Sequence, residues 1–273
     1  MRYHTLNNKL KILIKSALLV IGLGVTLTAC VTSNTANNQT SEEKISASEI
    51  NARLGIEYLR AGKLRLAQEK LERAVEYDSK SPLANAYLAV LYEELGESQK
   101  AGRHYRSAVN HGADQPNINN MYGSYLCREG QFKKAEKYFL VAAENPFSET
   151  REVPYSSAGV CLMNIPDYQT AEVYLRKALE FEPDYDQALF HLAKLNYEVN
   201  LELQGRAFVE RYLANNPDDP SALLLAYQIE RRLGDWQAAN RYSARLKREF
   251  PTSEQTRDLI IAERDSTSGG SGH

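Results

Sequence analysis

Small residues recur along this chain at a nearly constant interval. Ala67, Ala101, Ala135, Ala171, Gly205 and Ala239 are separated by 34, 34, 36, 34 and 34 residues. A second series, Gly55, Ala89, Gly123, Gly159 and Ala193, and a third, Ala74, Ala108, Ala142 and Ala178, keep the same steps. Three series in one register specify a repeat whose unit is a pair of helices. The physical reason is packing. A small side chain at a fixed point lets two antiparallel helices approach, while large apolar neighbours fill the space toward the next pair. One pair alone cannot bury its face, so the pairs stack, sharing a continuous core and a concave surface lined by the first helix of each pair.

The residues around these series resemble the tetratricopeptide pattern: Leu54-Gly55 then Tyr58, Leu88-Ala89 then Tyr92, Ala67 then Leu71 then Ala74, Ala135 then Phe139 then Ala142, with Pro183, Pro217 and Pro251 at repeat ends. The likeness covers residues 48–253 and implies an all-α tetratricopeptide-repeat solenoid, six helix pairs wound as a right-handed superhelix. Gly62, Gly96, Gly130 and Gly234 separate first from second helices, and Pro166-Asp167 does so in the fourth repeat. The stretch from Phe147 to Pro154 holds the two extra residues as a longer loop. The last two repeats are worn, with Tyr212 and Leu246 in place of small residues and Tyr227 in place of Gly or Ala. Residues 254–264, bearing Leu259, Ile260 and Ile261, are expected to cap the last pair, and residues 265–273 to form a disordered tail.

Ahead of the repeats, the chain opens with Arg2, Lys9, Lys11 and Lys15 and no acid before residue 30, followed by the apolar run Ala17 to Val25. That is the layout of a signal peptide, residues 1–29, and the run is shorter than the roughly 20 residues of a membrane-spanning helix. Leu27-Thr28-Ala29-Cys30 resembles the bacterial lipobox, which implies cleavage before Cys30 and acylation of that residue. Removing residues 1–29 takes those four basic side chains and leaves 29 Lys+Arg against 35 Asp+Glu. An acidic body has no attraction for anionic head groups, so membrane attachment falls to the acyl chains on Cys30. Val31 stands where lipoproteins kept at the inner membrane carry Asp, which favours the outer membrane. Residues 30–47, rich in Thr, Ser, Asn and Gln, are expected to be the acylated Cys and a flexible tether.

The charge balance leaves no basic surplus to neutralise phosphates, so nucleic acid is not an expected partner. His4, His104, His111, His191 and His273 are scattered without ligand spacing, and neither a P-loop nor a G-x-S-x-G motif occurs, so no catalytic residue, metal or cofactor is expected. Ser156-Ser157 and the Asp-rich turn Asp184 to Asp186 read as helix caps, and Trp236 as packing. Cys127 and Cys161 fall on first helices that stacking places side by side. A disulfide is thus geometrically available, and an oxidising envelope favours it over two buried thiols.

The stretch Asn117-Ile118-Asn119-Asn120-Met121-Tyr122-Gly123-Ser124-Tyr125-Leu126-Cys127-Arg128-Glu129-Gly130, followed by Phe132, Ala135, Glu136, Phe139 and Ala142-Ala143-Glu144-Asn145-Pro146, resembles the third repeat of the type IV pilus biogenesis and stability lipoproteins of the PilW/PilF kind. Ala158-Gly159-Val160-Cys161 and Asp167-Tyr168 through Ala178-Leu179 resemble the fourth. The resemblance implies a pilotin: an outer-membrane, periplasm-facing lipoprotein, monomeric, that binds the secretin subunit and promotes its insertion and assembly. Competing readings are a repeat lipoprotein of the outer-membrane protein assembly machinery and an adaptor for cell-wall hydrolases. Carrying over the groove-facing positions of the repeat gives a candidate partner-binding surface of Ile56, Leu59, Leu83, Ala86, Val90, Asn117, Asn120, Ser124, Val160, Met163, Asn164, Phe190 and Tyr197. Its amides can bond a peptide backbone while apolar members receive anchors. Asn117 and Asn120 lead the set, because two amides three apart share one helix side.

Overall fold

The small-residue series translate directly into helix contacts. In the computed structural model, which describes residues 40–165 and 167–268, thirteen helices follow one another with no strand among the described residues. They are α1 Ser41–Arg60, α2 Leu64–Tyr77, α3 Pro82–Glu94, α4 Ser98–His111, α5 Pro116–Arg128, α6 Phe132–Ala143, α7 Glu152–Leu162, α8 Tyr168–Phe181, α9 Asp186–Glu198, α10 Glu202–Asn215, α11 Pro220–Leu233, α12 Trp236–Glu249 and α13 Glu254–Ser268. Odd-numbered helices up to α11 are the first members of the six pairs, even-numbered helices the second, and α13 follows the last pair. The signal-peptide, Cys30 and Pro166 assignments lie outside the described residues. Among those described, no helix is long and apolar enough to cross a membrane.

Ala67, Ala101, Ala135, Ala171 and Ala239 are all fully buried, as are Ala74, Ala108, Ala142 and Ala178. At the glycine positions the approach is closer still. A Cβ on Gly55 would stand 2.5 Å from Leu71 Cγ, one on Gly123 2.8 Å from Phe139 Cδ1, and one on Gly159 2.6 Å from Leu175 Cγ. The turns between paired helices use the left-handed backbone at Gly62, Gly96, Gly130 and Gly234 (φ 69° to 77°), where glycine carries no steric penalty. In the fifth repeat Asn200 takes the same conformation at φ 59°.

Between repeats, a second device recurs. The buried Asn85 donates Nδ2 to the carbonyls of Ser79 and Ser81, both at 2.9 Å. Asn119 does the same to Ala113 and Gln115. Each amide ties the loop ahead of its helix to the first helical turn, adding a second bond to a carbonyl that already accepts from the helix backbone and pairing one loop carbonyl. Pro82, Pro116 and Pro220 occupy first-turn positions whose N–H would be unpaired anyway.

Two boundaries and two residue roles differ from the sequence expectation. Helix α1 begins at Ser41, so residues 41–47 are helix and not tether. The pair Glu42-Glu43 and Lys44 are good helix formers, and extending a helix already held by buried Ser48, Ala52 and Gly55 costs little. Helix α13 runs to Ser268, four residues past the expected cap, while Leu259 is fully buried against the last pair as expected. Trp236 is 56% exposed with the Arg231 guanidinium 4.6 Å over its ring, so it is not a packing residue of the core. Ser156 sits inside α7, fully buried, and does not cap it.

Candidate functional site

Helix α5 is the hub of the candidate groove. It forms a wall shared by three adjoining depressions. Toward α1 and α3, Asn117 borders a hollow of about 530 Å³ with Ile56, Leu83 and Tyr87. Toward α7, Asn117, Asn120 and Met121 border one of about 360 Å³, closed on its far side by Phe147 to Thr150 of the long loop and by Val153 and Pro154. Toward α3 again, Asn120, Met121, Ser124 and Arg128 border one of about 660 Å³ with Val90, Glu93 and Glu94. Asn117 therefore joins the first to the second, and Asn120 with Met121 joins the second to the third.

The long loop is held open by Asn145. Its Nδ2 donates to the Asp114 carbonyl at 2.9 Å, tying the loop back to the preceding repeat, and its Oδ1 accepts from the Phe147 N–H at 2.8 Å. Phe147 is left 86% exposed at the mouth of the depression. Asn120 Oδ1 is buried and finds no hydrogen-bond partner among the described residues.

The third depression is floored by an ionic group. Arg128 Nε and Nη2 donate to the two oxygens of Glu93 at 2.9 and 2.8 Å, and the Tyr105 hydroxyl donates to Glu93 Oε2 at 2.7 Å. Burial and that bond to the carboxylate raise the Tyr105 phenol far above its ordinary range, so it stays a donor. Beside these residues, Cys127 of α5 and Cys161 of α7 are joined by a disulfide with their Cα atoms 5.8 Å apart.

A fourth depression, about 330 Å³, lies between α7 and α9, lined by Val160, Met163, Asn164, Tyr168, His191, Lys194 and Glu198. Burial first, and then the nearby Lys194 charge, push the His191 imidazole down to about 4, so it is neutral at physiological pH. Its Nδ1 has no partner among the described residues.

Of the candidate groove residues, Ile56, Leu83, Val90, Asn117, Asn120, Ser124, Val160, Met163 and Asn164 line these depressions. Four do not join them. Ala86 is fully buried in the helix-helix core, because so small a side chain draws the neighbouring helices in over it. Leu59 packs against that core. Phe190 packs on Tyr212, ring centroids 5.3 Å apart, and Tyr197 lies under the Arg232 guanidinium at 3.6 Å. Two members spend polar groups internally: Ser124 Oγ donates to the Asn120 carbonyl, and Asn164 Nδ2 to the Val160 and Cys161 carbonyls. The candidate groove drawn from the sequence did not include Glu93, Met121, Arg128, Phe147 or His191, which line these depressions. Glu93 and Arg128 are 35 residues apart, near one repeat period, and opposite charges at that spacing are the signal that could have found them.

A tetratricopeptide-repeat family model matches residues 53–118. The type IV pilus assembly protein PilF of Pseudomonas aeruginosa is 26% identical over 238 residues, covering 87% of this chain and 94% of PilF. The crystal structure of PilW, a widely conserved type IV pilus biogenesis factor, matches with a TM-score of 0.73 at 29% identity, covering 78% of this chain and 98% of that one. The chain is homologous to the PilF and PilW proteins of type IV pilus biogenesis. The solved structure of Pseudomonas aeruginosa PilF, at 23% identity and a TM-score of 0.70, has the same fold over 80% of this chain and 99% of that one. Homology to PilF and PilW supports a role in type IV pilus biogenesis.

Proposed function

We propose that this chain is a pilotin, an outer-membrane lipoprotein that holds the pilus secretin subunit in its concave groove and promotes that subunit's localisation and assembly. The observation that carries the reading is the extent of the likeness. PilF is matched over 94% of its length and PilW over 98%, so the whole array is shared, and not one generic repeat. The lipobox-like Leu27-Thr28-Ala29-Cys30 supplies the anchor in this reading, with Cys30 acylated and the repeats facing the periplasm. Binding falls to the depressions around α5, where apolar walls and the amides of Asn117 and Asn120 suit an extended segment.

The test has two parts. A Cys30→Ala protein is expected to fractionate with the soluble periplasm and to leave secretin multimers reduced or mislocalised. Purified secretin fragments are expected to bind Asn120→Ala and Leu83→Glu variants at least tenfold more weakly than the parent, with melting temperatures matched. Normal secretin multimers in the Cys30→Ala strain, together with unchanged fragment affinity, would overturn the proposal.

A further inference from the structure

The acids around α5 exceed what the groove neutralises. In the 660 Å³ depression, Arg128 is committed to Glu93 by two hydrogen bonds, which leaves Glu94 and Glu129 as surplus carboxylates on the same rim. Glu129 accepts only a neutral hydroxyl, Ser98 Oγ at 2.6 Å, and Glu94 has no ion pair among the described residues. The adjoining 360 Å³ depression adds Glu149 and no basic side chain. Its remaining lining is largely apolar: Met121, Phe147, Val153, Pro154 and Pro116. One connected surface thus sets an apolar slot beside a rim carrying a net negative charge.

We infer that the segment this groove takes is an extended, basic peptide stretch, with one large apolar side chain in the slot under Phe147 and a Lys or Arg over Glu94 and Glu129. The spacing follows from α5 itself. From Asn120, which borders the slot, to Arg128, at the acidic rim, is eight helical residues, or about 12 Å at 1.5 Å per residue. An extended chain covers that distance in about four residues at roughly 3.3 Å each. Anchor and cation therefore stand three or four residues apart. The charge contributes to rate as well as affinity, since a concave wall of one sign concentrates the opposite sign before contact. This inference deepens the pilotin reading by naming the chemistry of the bound segment, and it rests on the groove being the binding surface.

The experiment uses the full-length protein in detergent micelles and two synthetic fluorescein-labelled 12-residue peptides. They are identical except that a Lys-Lys pair four residues from a single Phe in one is replaced by Glu-Glu in the other. The Lys peptide is expected to bind at least tenfold more tightly in low salt, with the gap falling below threefold in 0.5 M NaCl. It should fall equally in a Glu94→Lys/Glu129→Lys variant, whose exposed positions leave the fold intact. A Met121→Asp variant should weaken both peptides. Equal affinity for the two peptides, tighter binding of the Glu peptide, or binding of neither would overturn the inference. A purified secretin fragment is run in competition. If it binds the protein without displacing the Lys peptide, the secretin reading of the groove fails and the basic-segment inference stands. If it binds while the peptides show no charge preference, the reverse holds.

Discussion

Arg128 on α5 and Glu93 on α3 meet in a two-pronged ion pair across a repeat boundary, and Tyr105 on α4 donates its hydroxyl to the same carboxylate. Arg128 is more than half exposed and Glu93 only 20% exposed, so water screens the guanidinium while the carboxylate depends on its partners. Glu93→Ala should cost about 1–2 kcal/mol, combining a discounted ion pair with a buried hydroxyl left unpaired. In the Glu93→Ala background, Tyr105→Phe should then cost less than it does in the parent. Equal costs in both backgrounds, measured by urea unfolding, would contradict the coupling.

The Cys127–Cys161 disulfide closes a 34-residue separation between α5 and α7. Closing a loop of that size in the unfolded chain corresponds to about 3–4 kcal/mol in the chain-entropy model. Reduction, or a Cys127→Ser/Cys161→Ser double change, should lower stability by that order. Mass spectrometry of the unreduced protein after alkylation should find neither Cys127 nor Cys161 alkylated.

Glycines that look alike in sequence should differ when replaced. At Gly159 an added Cβ meets Leu175 Cγ at 2.6 Å and the Ala171 carbonyl oxygen at 2.9 Å, so backbone must move, and Gly159→Ala should cost about 1–3 kcal/mol. At Gly96 nothing stands within 4 Å and only the positive φ opposes a side chain, so Gly96→Ala should cost about 1 kcal/mol. Denaturant midpoints of the two variants check the order.

Stability should also fall with acid well before the carboxylates titrate. His191 is held at about 4 in the fold by burial and then Lys194, against about 6.5 in the unfolded chain. Its imidazole therefore binds its proton more readily when unfolded. Its contribution is complete above pH 6.5 and is lost as pH falls toward 4, by about 1–3 kcal/mol. His104, lowered by burial and then Arg103, acts in the same direction. A His191→Leu protein should show a flatter melting temperature between pH 7 and 4.5 than the parent.

The array was legible in the sequence because its determinants are local and periodic: small residues at fixed points, glycine at turns with φ near +70°. What escaped were properties set by partners far along the chain. Phe190 matches the groove pattern, yet the residue that engages it is Tyr212, a position where earlier repeats carry Ala74, Ala108, Ala142 and Ala178. The worn fifth repeat thus fills with an aromatic pair the space that small residues closed elsewhere. Ala86 shows the converse, since a groove position occupied by alanine leaves too little side chain to reach the surface. The start of α1 was hidden because a polar stretch of good helix formers carries no apolar period to mark it.

The cross-links described here join each repeat only to its neighbour, as Glu93 with Arg128 and Cys127 with Cys161 do. A molecule wired in this way behaves as two zippers sharing one stapled midpoint. Opening should start at the outer pairs and travel inward, and amide hydrogens in α5 and α7 should be the last to exchange with solvent. The stretch that stays shut longest is then the one bearing Asn117, Asn120 and Met121, so a captured segment would be gripped by the part of the chain least prone to fray.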